Sequence, residues 1–187
     1  MMPLAISLGV LVFLLIWVIV VYNGLVKIRQ MVRESWSGID TELKRRYDLI
    51  PNLMEVVKGY AAHEKKLFSE VTEARAQAVA STGDTRSQAR DERALVGHVK
   101  QLLAVAEAYP ELKASQHFLD LQNELANTED RIQAARRFFN ANVRDLNTMV
   151  ESFPSNIIAS ALNFEREDFF EVEKAVIRSV VNISFPD

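Results

Sequence analysis

Cysteine is absent from the 187 residues, which excludes a disulfide framework and any thiolate-held metal. Secreted proteins can lack it too, so its absence leaves the compartment open. Glycine and proline are scarce, six and five residues, and the composition is instead rich in Ala, Leu, Glu, Arg and Gln, as helical chains are. A surplus of positive charge is missing as well. The net charge of −3 argues against a dedicated nucleic-acid binder. No charged side chain occurs before Lys27.

Motifs for chemistry are equally thin. There is no glycine-rich phosphate loop, nucleophile elbow or cysteine nucleophile. His63-Glu64 begins like the helix signature of a zinc protease, but Leu67 stands where the second histidine must be. A di-metal bundle needs Glu-x-x-His pairs, and Glu lies three residues before none of His63, His98 and His117. No catalytic, cofactor-binding or metal site is expected, and the chain does not read as an enzyme.

What is present begins with an apolar run over residues 4–21. Eighteen to twenty helical residues span a hydrocarbon core of roughly 30 Å. A signal peptide would need a basic leader and a small-residue cleavage site, and a core helix without one polar side would be unusual in so small a protein. A membrane anchor is therefore predicted, with Tyr22 suited to the interface. Lys27, Arg29 and Arg33 follow the run before the first acidic residue, Glu34. Positive residues prefer the cytoplasmic side, which favours the bundle inside and the N-terminus outside, with a periplasmic bundle as the alternative.

Beyond the membrane one period dominates. Ile39, Leu43, Arg46, Ile50, Leu53, Val57, Tyr60, Glu64, Leu67, Val71, Ala74 and Ala78 alternate spacings of four and three. That predicts one helix seam sustained for more than five heptads, kinked at Pro51. Gly83-Asp84-Thr85 signals a turn. Glu92, Leu95, Val99, Leu102, Ala106 and Tyr109 then predict a second helix, broken near Tyr109 by Pro110. Phe118, Leu125, Ile132, Phe139, Leu146 and Phe153, a heptad apart, predict a third, ended by Phe153-Pro154-Ser155. The fold class is all-α: a transmembrane helix, then a long antiparallel bundle of three main helices plus short C-terminal elements. The divisions are an anchor at 1–26, a bundle at 27–154, and a short helix with a partly extended tail at 155–187.

Six polar residues on or beside the seams stand out: Arg46, Glu64, Glu129, Arg136, Asn140 and Asn147. An unpaired charge buried there would cost several kcal/mol, so they are read as ion pairs and amide contacts that set helix register. The apolar tail residues Phe169, Phe170, Val181, Ile183 and Phe185 are the expected contacts between copies, the alternation over residues 181–185 suiting an added edge strand.

The chain resembles the LemA family from Tyr22-Asn23-Gly24-Leu25-Val26 to Phe170. Resemblance is carried by Trp36, Arg45-Arg46-Tyr47-Asp48-Leu49-Ile50-Pro51-Asn52-Leu53 and Val57-Lys58-Gly59-Tyr60-Ala61-Ala62-His63-Glu64. It continues through Glu107-Ala108-Tyr109-Pro110-Glu111-Leu112-Lys113-Ala114, Glu129, Ala135-Arg136-Arg137, Asn140, Asn147 and Phe153-Pro154-Ser155. It implies a bacterial inner-membrane protein with an N-terminal anchor, an antiparallel bundle and no established enzymatic activity. By analogy with a relative from the magnetosome membrane system, it also implies a role in membrane organisation. The function expected is a structural or scaffolding membrane component. Its partners would be the lipid bilayer, copies of itself and a membrane protein. The alternative is a regulatory or sensory subunit coupling the membrane to a protease or signalling enzyme.

Overall fold

The computed structural model describes residues 2–81 and 84–171. Every regular element among them is helical: α1 (Met2–Lys58), α2 (Lys65–Ala80), α3 (Thr85–Glu107), α4 (Pro110–Lys113), α5 (Gln116–Glu151) and α6 (Ser155–Ala161). At about 1.5 Å per residue, the 57 residues of α1 reach about 86 Å. None of the described residues covers its apolar start. Ile6 is 67% exposed and Phe13 69%, whereas Leu25 is fully buried a few turns on. A core helix would show the opposite pattern. An uncovered apolar surface of membrane-spanning length suits lipid.

From Leu25 onward α1 is the central post of the bundle. α5 returns beside it in antiparallel order, so that Glu129 faces Arg46, Asn142 reaches the Met31 carbonyl, and Met149 lies against Gly24. A Cβ on Gly24 would stand only 3.1 Å from the Met149 methyl, so glycine permits that close approach. α2 and α3 form a hairpin against the distal half of α1. α2 runs down, with Lys58 over the Phe68 ring and Tyr47 beside Ala78, and α3 runs up again. Distally the bundle is thus four helices, while nearer the anchor it thins to α1 and α5.

The seam expected as one helix over residues 39–78 is instead two. α1 stops at Lys58, and residues 59–64 reverse the chain into α2. Tyr60 is consequently exposed, and Glu64 sits half-buried at the α2 N-cap. The apolar phase survives the turn because both helices point the same stripe at the same core: Val57, Leu67, Val71, Ala74 and Ala78 are all buried.

Pro51 does not end α1, which continues for two further turns. A proline supplies no N–H, so the carbonyl four residues earlier loses its helical donor. That carbonyl belongs to Tyr47, and the Arg75 Nε of α2 donates to it at 2.7 Å. The neighbouring helix replaces the missing bond.

Tyr109 leaves helical geometry ahead of Pro110, as the sequence predicts. Asp84 caps α3 by accepting the Ser87 N–H at 2.6 Å, and that hydrogen bond holds its carboxyl below the usual carboxylate range. On α5, Phe118, Leu125, Ile132, Phe139 and Leu146 are buried as their heptad spacing requires. Phe153 departs from the line. It lies past the end of α5 and is 81% exposed. After α6, residues 164–171 run as an extended strap along the groove between α1 and α5.

Candidate functional site

Two polar features lie inside this framework, one within the four-helix half and one where only two helices remain. The first centres on Arg46. Its seam position turns the side chain inward, where it is paired by Glu92 of α3 and by Glu129 of α5 at 2.8 Å. The Arg46 and Glu92 side chains are each only 3% exposed, while Glu129 keeps 33% of its surface. The second Glu92 oxygen accepts from the Tyr47 hydroxyl. Burial pushes the Tyr47 phenol up to about 12, against the opposing pull of Arg46. Three helices are pinned at one level by this cluster, and Tyr47 extends the tie to the Ala78 carbonyl of α2 at 3.4 Å.

Both Glu92 oxygens are engaged, so the carboxylate is not poised as a general base. Sliding one of these helices by a turn would strand a charge in the core. Glu92 carries no mark in the sequence beyond its seam spacing, shared with Leu95 and Val99, yet it is the deepest anion of the cluster. Glu64, at the α1–α2 turn, is not part of it.

The second feature is the strap. Asn147 donates to the Glu167 carbonyl and accepts the Glu167 N–H, both at 2.9 Å. Asn140 does the same for Phe170, at 3.2 and 2.9 Å. Each amide therefore exchanges two bonds with a single extended residue, as a neighbouring strand would. The spacing is self-consistent. Seven helical residues rise about 10.5 Å, and three extended residues cover about 10 Å. Side chains close the groove: Phe170, 1% exposed, meets Trp36 edge-on at 5.4 Å, and Phe164 meets Tyr22. Arg136 lies over the Phe170 ring at 5.3 Å and donates to its carbonyl. Burial there holds its guanidinium below the ordinary value, with the Arg46 charge adding to the effect. Arg86 of α3 reaches Asp168 at 2.7 Å.

Asn140, Asn147 and Arg136 thus hold an extended segment to the bundle rather than setting the register of one helix on another. Phe170, expected as a contact between copies, is core, and Phe169 packs partly buried beside it. Two helices side by side leave a groove that a third element must cover, and the strap does so where the α2–α3 hairpin stops short. Val181, Ile183 and Phe185 lie outside the described residues.

Beside the strap an open cleft of about 790 Å3 is lined by Arg33, Trp36, Tyr47, Gln88, Phe139 and Arg166, among others. Among the described residues no three His, Asp or Glu side chains gather as a metal site. His63 and His117 are exposed at separate places, and His98 stands 3.9 Å from Glu70.

An uncovered apolar helix continuous with a bundle locked by internal charges defines a membrane-associated structural class of protein. The chain belongs to the LemA family, whose pattern matches residues 35–185. It is 25% identical to magnetosome protein MamQ of Magnetospirillum gryphiswaldense across 92% of this chain and 72% of that protein. It is likewise 25% identical to magnetosome protein MamQ 2 of Paramagnetospirillum magneticum, across 82% of this chain and 66% of the relative. Protein LemA of Metamycoplasma hominis is 24% identical across 81% of this chain and 69% of its own length.

Proposed function

We propose that this protein is a membrane-anchored scaffold that assembles with copies of itself at the bilayer. The observation carrying this reading is the continuity of α1. The helix that enters the bilayer is the helix on which Arg46 and the core are built, so position in the membrane passes directly to the bundle. Internal charges serve packing, which leaves surfaces as the means of action. The names of two relatives belong to the magnetosome, and membrane organisation comes to this chain by analogy with them. Lys27, Arg29 and Arg33 favour a cytoplasmic bundle. A single cysteine at exposed Ala94, probed on intact cells with an impermeant reagent, tests that facing. Protection in intact cells and labelling after lysis is the expected result.

Self-assembly is tested by light scattering of the detergent-solubilised chain, full length and truncated after Glu171. A defined oligomer that disperses on truncation is expected. A monomer in both forms overturns self-assembly. Truncation after Glu167 would be a poor test, since it removes Phe170 from the core. A regulatory or sensory role is the second reading, favoured by the open cleft between α1, α3 and the strap.

A further inference from the structure

One end of the bundle carries apolar side chains that the described residues leave bare. Phe153 is 81% exposed, Ile157 56% and Leu162 47%. They sit on α6 and the turns at either end of it, and Ala159 at the centre of α6 is fully buried. α6 therefore shows one face to the protein and another outward. The inner face packs through Ala159 and Ile158, joined by Phe164 just beyond the helix, against Val21, Leu25 and Val26 of α1.

That placement is informative. The apolar run of α1 ends at Val21, so the covered face of α6 lies on the last turn of the span and the first turn beyond it. A run of 18 residues is about 27 Å long, close to the roughly 30 Å hydrocarbon thickness. The bare face of α6 is thus level with the boundary between acyl chains and headgroups. Its surroundings are those of an interfacial element. Tyr22 is 42% exposed at the same level, and Arg29 lies 4.6 Å over the Phe164 ring on the side away from the span. Arg166 pairs with Glu151, the last residue of α5, at 2.8 Å at the same end of the bundle.

The geometry points to α6 and its flanking turns as a second membrane contact, with Phe153, Ile157 and Leu162 seated in the acyl–headgroup boundary beside the emerging α1. The occupant of this face is lipid of the same bilayer, because the face is continuous with the surface that lipid covers on α1. A single helix crossing a bilayer can tilt and rotate. A second apolar foothold, joined to α1 through buried Leu25 and Phe164, fixes the bundle's inclination to the membrane plane. This inference rests on the anchor reading above.

The absence of native cysteine makes the test direct, since one introduced thiol gives one unique label. Nitroxide labels are placed singly at Phe153→Cys, Ile157→Cys and Leu162→Cys in the full chain. Leu14→Cys marks the span, and Phe138→Cys marks an exposed site higher on the bundle. The labelled chains are reconstituted into phosphatidylcholine–phosphatidylglycerol vesicles, and collision rates with oxygen and a water-soluble nickel chelate are compared. Oxygen-to-nickel ratios at 153, 157 and 162 several-fold above that at 138, and approaching that at 14, are the expected result. If position 14 is lipid-exposed while 153, 157 and 162 match 138, this inference fails and the anchor stands. If position 14 itself behaves like 138, the anchor fails and this inference falls with it. Shielding from both reagents, with spin–spin broadening that vanishes on dilution with unlabelled chain, assigns the face to a second copy and overturns the lipid contact.

Discussion

Replacing Arg46 by leucine should be among the most damaging single changes in the bundle. The substitution leaves the Glu92 carboxylate in a site where its side chain is 3% exposed, with the Tyr47 hydroxyl still donating to it. Breaking a buried ion pair by removing one partner costs about 3–5 kcal/mol. Retention of the Tyr47 bond keeps the expected loss at about 3 kcal/mol. Glu129 adds little, because at 33% exposure its carboxylate can turn to water. Glu129→Gln should accordingly cost no more than about 1 kcal/mol. The double change Arg46→Met with Glu92→Leu removes both buried charges and should recover most of the loss. Denaturant unfolding of the full chain in micelles, followed by far-ultraviolet circular dichroism, ranks these variants. In a chain of this size the single Arg46 change corresponds to a fall of roughly 10 °C in melting temperature. The reasoning is refuted if Arg46→Leu costs no more than Glu129→Gln, or if the double variant is less stable than the single.

Arg75→Met should destabilise by about 1–3 kcal/mol by stranding the Tyr47 carbonyl, and adding Pro51→Ala should recover most of it by restoring a helical N–H. Equal losses with and without Pro51 would show that Arg75 does something else. Asn140→Ala and Asn147→Ala each remove two strap bonds, so amide exchange at Phe170 and Glu167 should accelerate, with about 1–2 kcal/mol lost per substitution. Unchanged exchange at both positions would mean that the aromatic contacts alone hold the strap. Tyr47 binds its proton more tightly when folded, up to about 12 against 10.0 for a free phenol. Between those values the unfolded chain carries fewer protons, so stability present below pH 10 falls through that window and flattens above it. Tyr47→Phe should abolish that slope, and a slope that persists assigns it to other groups.

Much of this architecture is legible in one dimension, but unevenly. The apolar start and the heptads of α5 are visible because neighbours along a helix share one environment, which periodicity reports directly. The reversal at residues 59–64 is hidden for the same reason. A helix folded back onto the core it has just left keeps its apolar phase, so Val57 and Leu67 read as one stripe. The pair Asn140 and Asn147 shows in the sequence as a repeat, but what they bind does not. Their ligands are main-chain atoms of residues 167 and 170, and backbone has no sequence signature. Glu92 escapes notice because a charge on a seam reveals neither its depth nor its partner.

The amino-acid sequence alone determined the helical class, the uncovered anchor and the inward stripe of each long helix. These follow from hydropathy and from the 3.6-residue turn, both local properties of the chain. Tertiary structure decided how many helices share the seam, which anions meet Arg46, how α1 tolerates Pro51, and what lies in the groove beside Trp36. Each of those depends on groups from segments far apart in the chain. Only packing brings Arg75 to the Tyr47 carbonyl, or Phe170 to Asn140, because no local rule encodes a distance across a bundle.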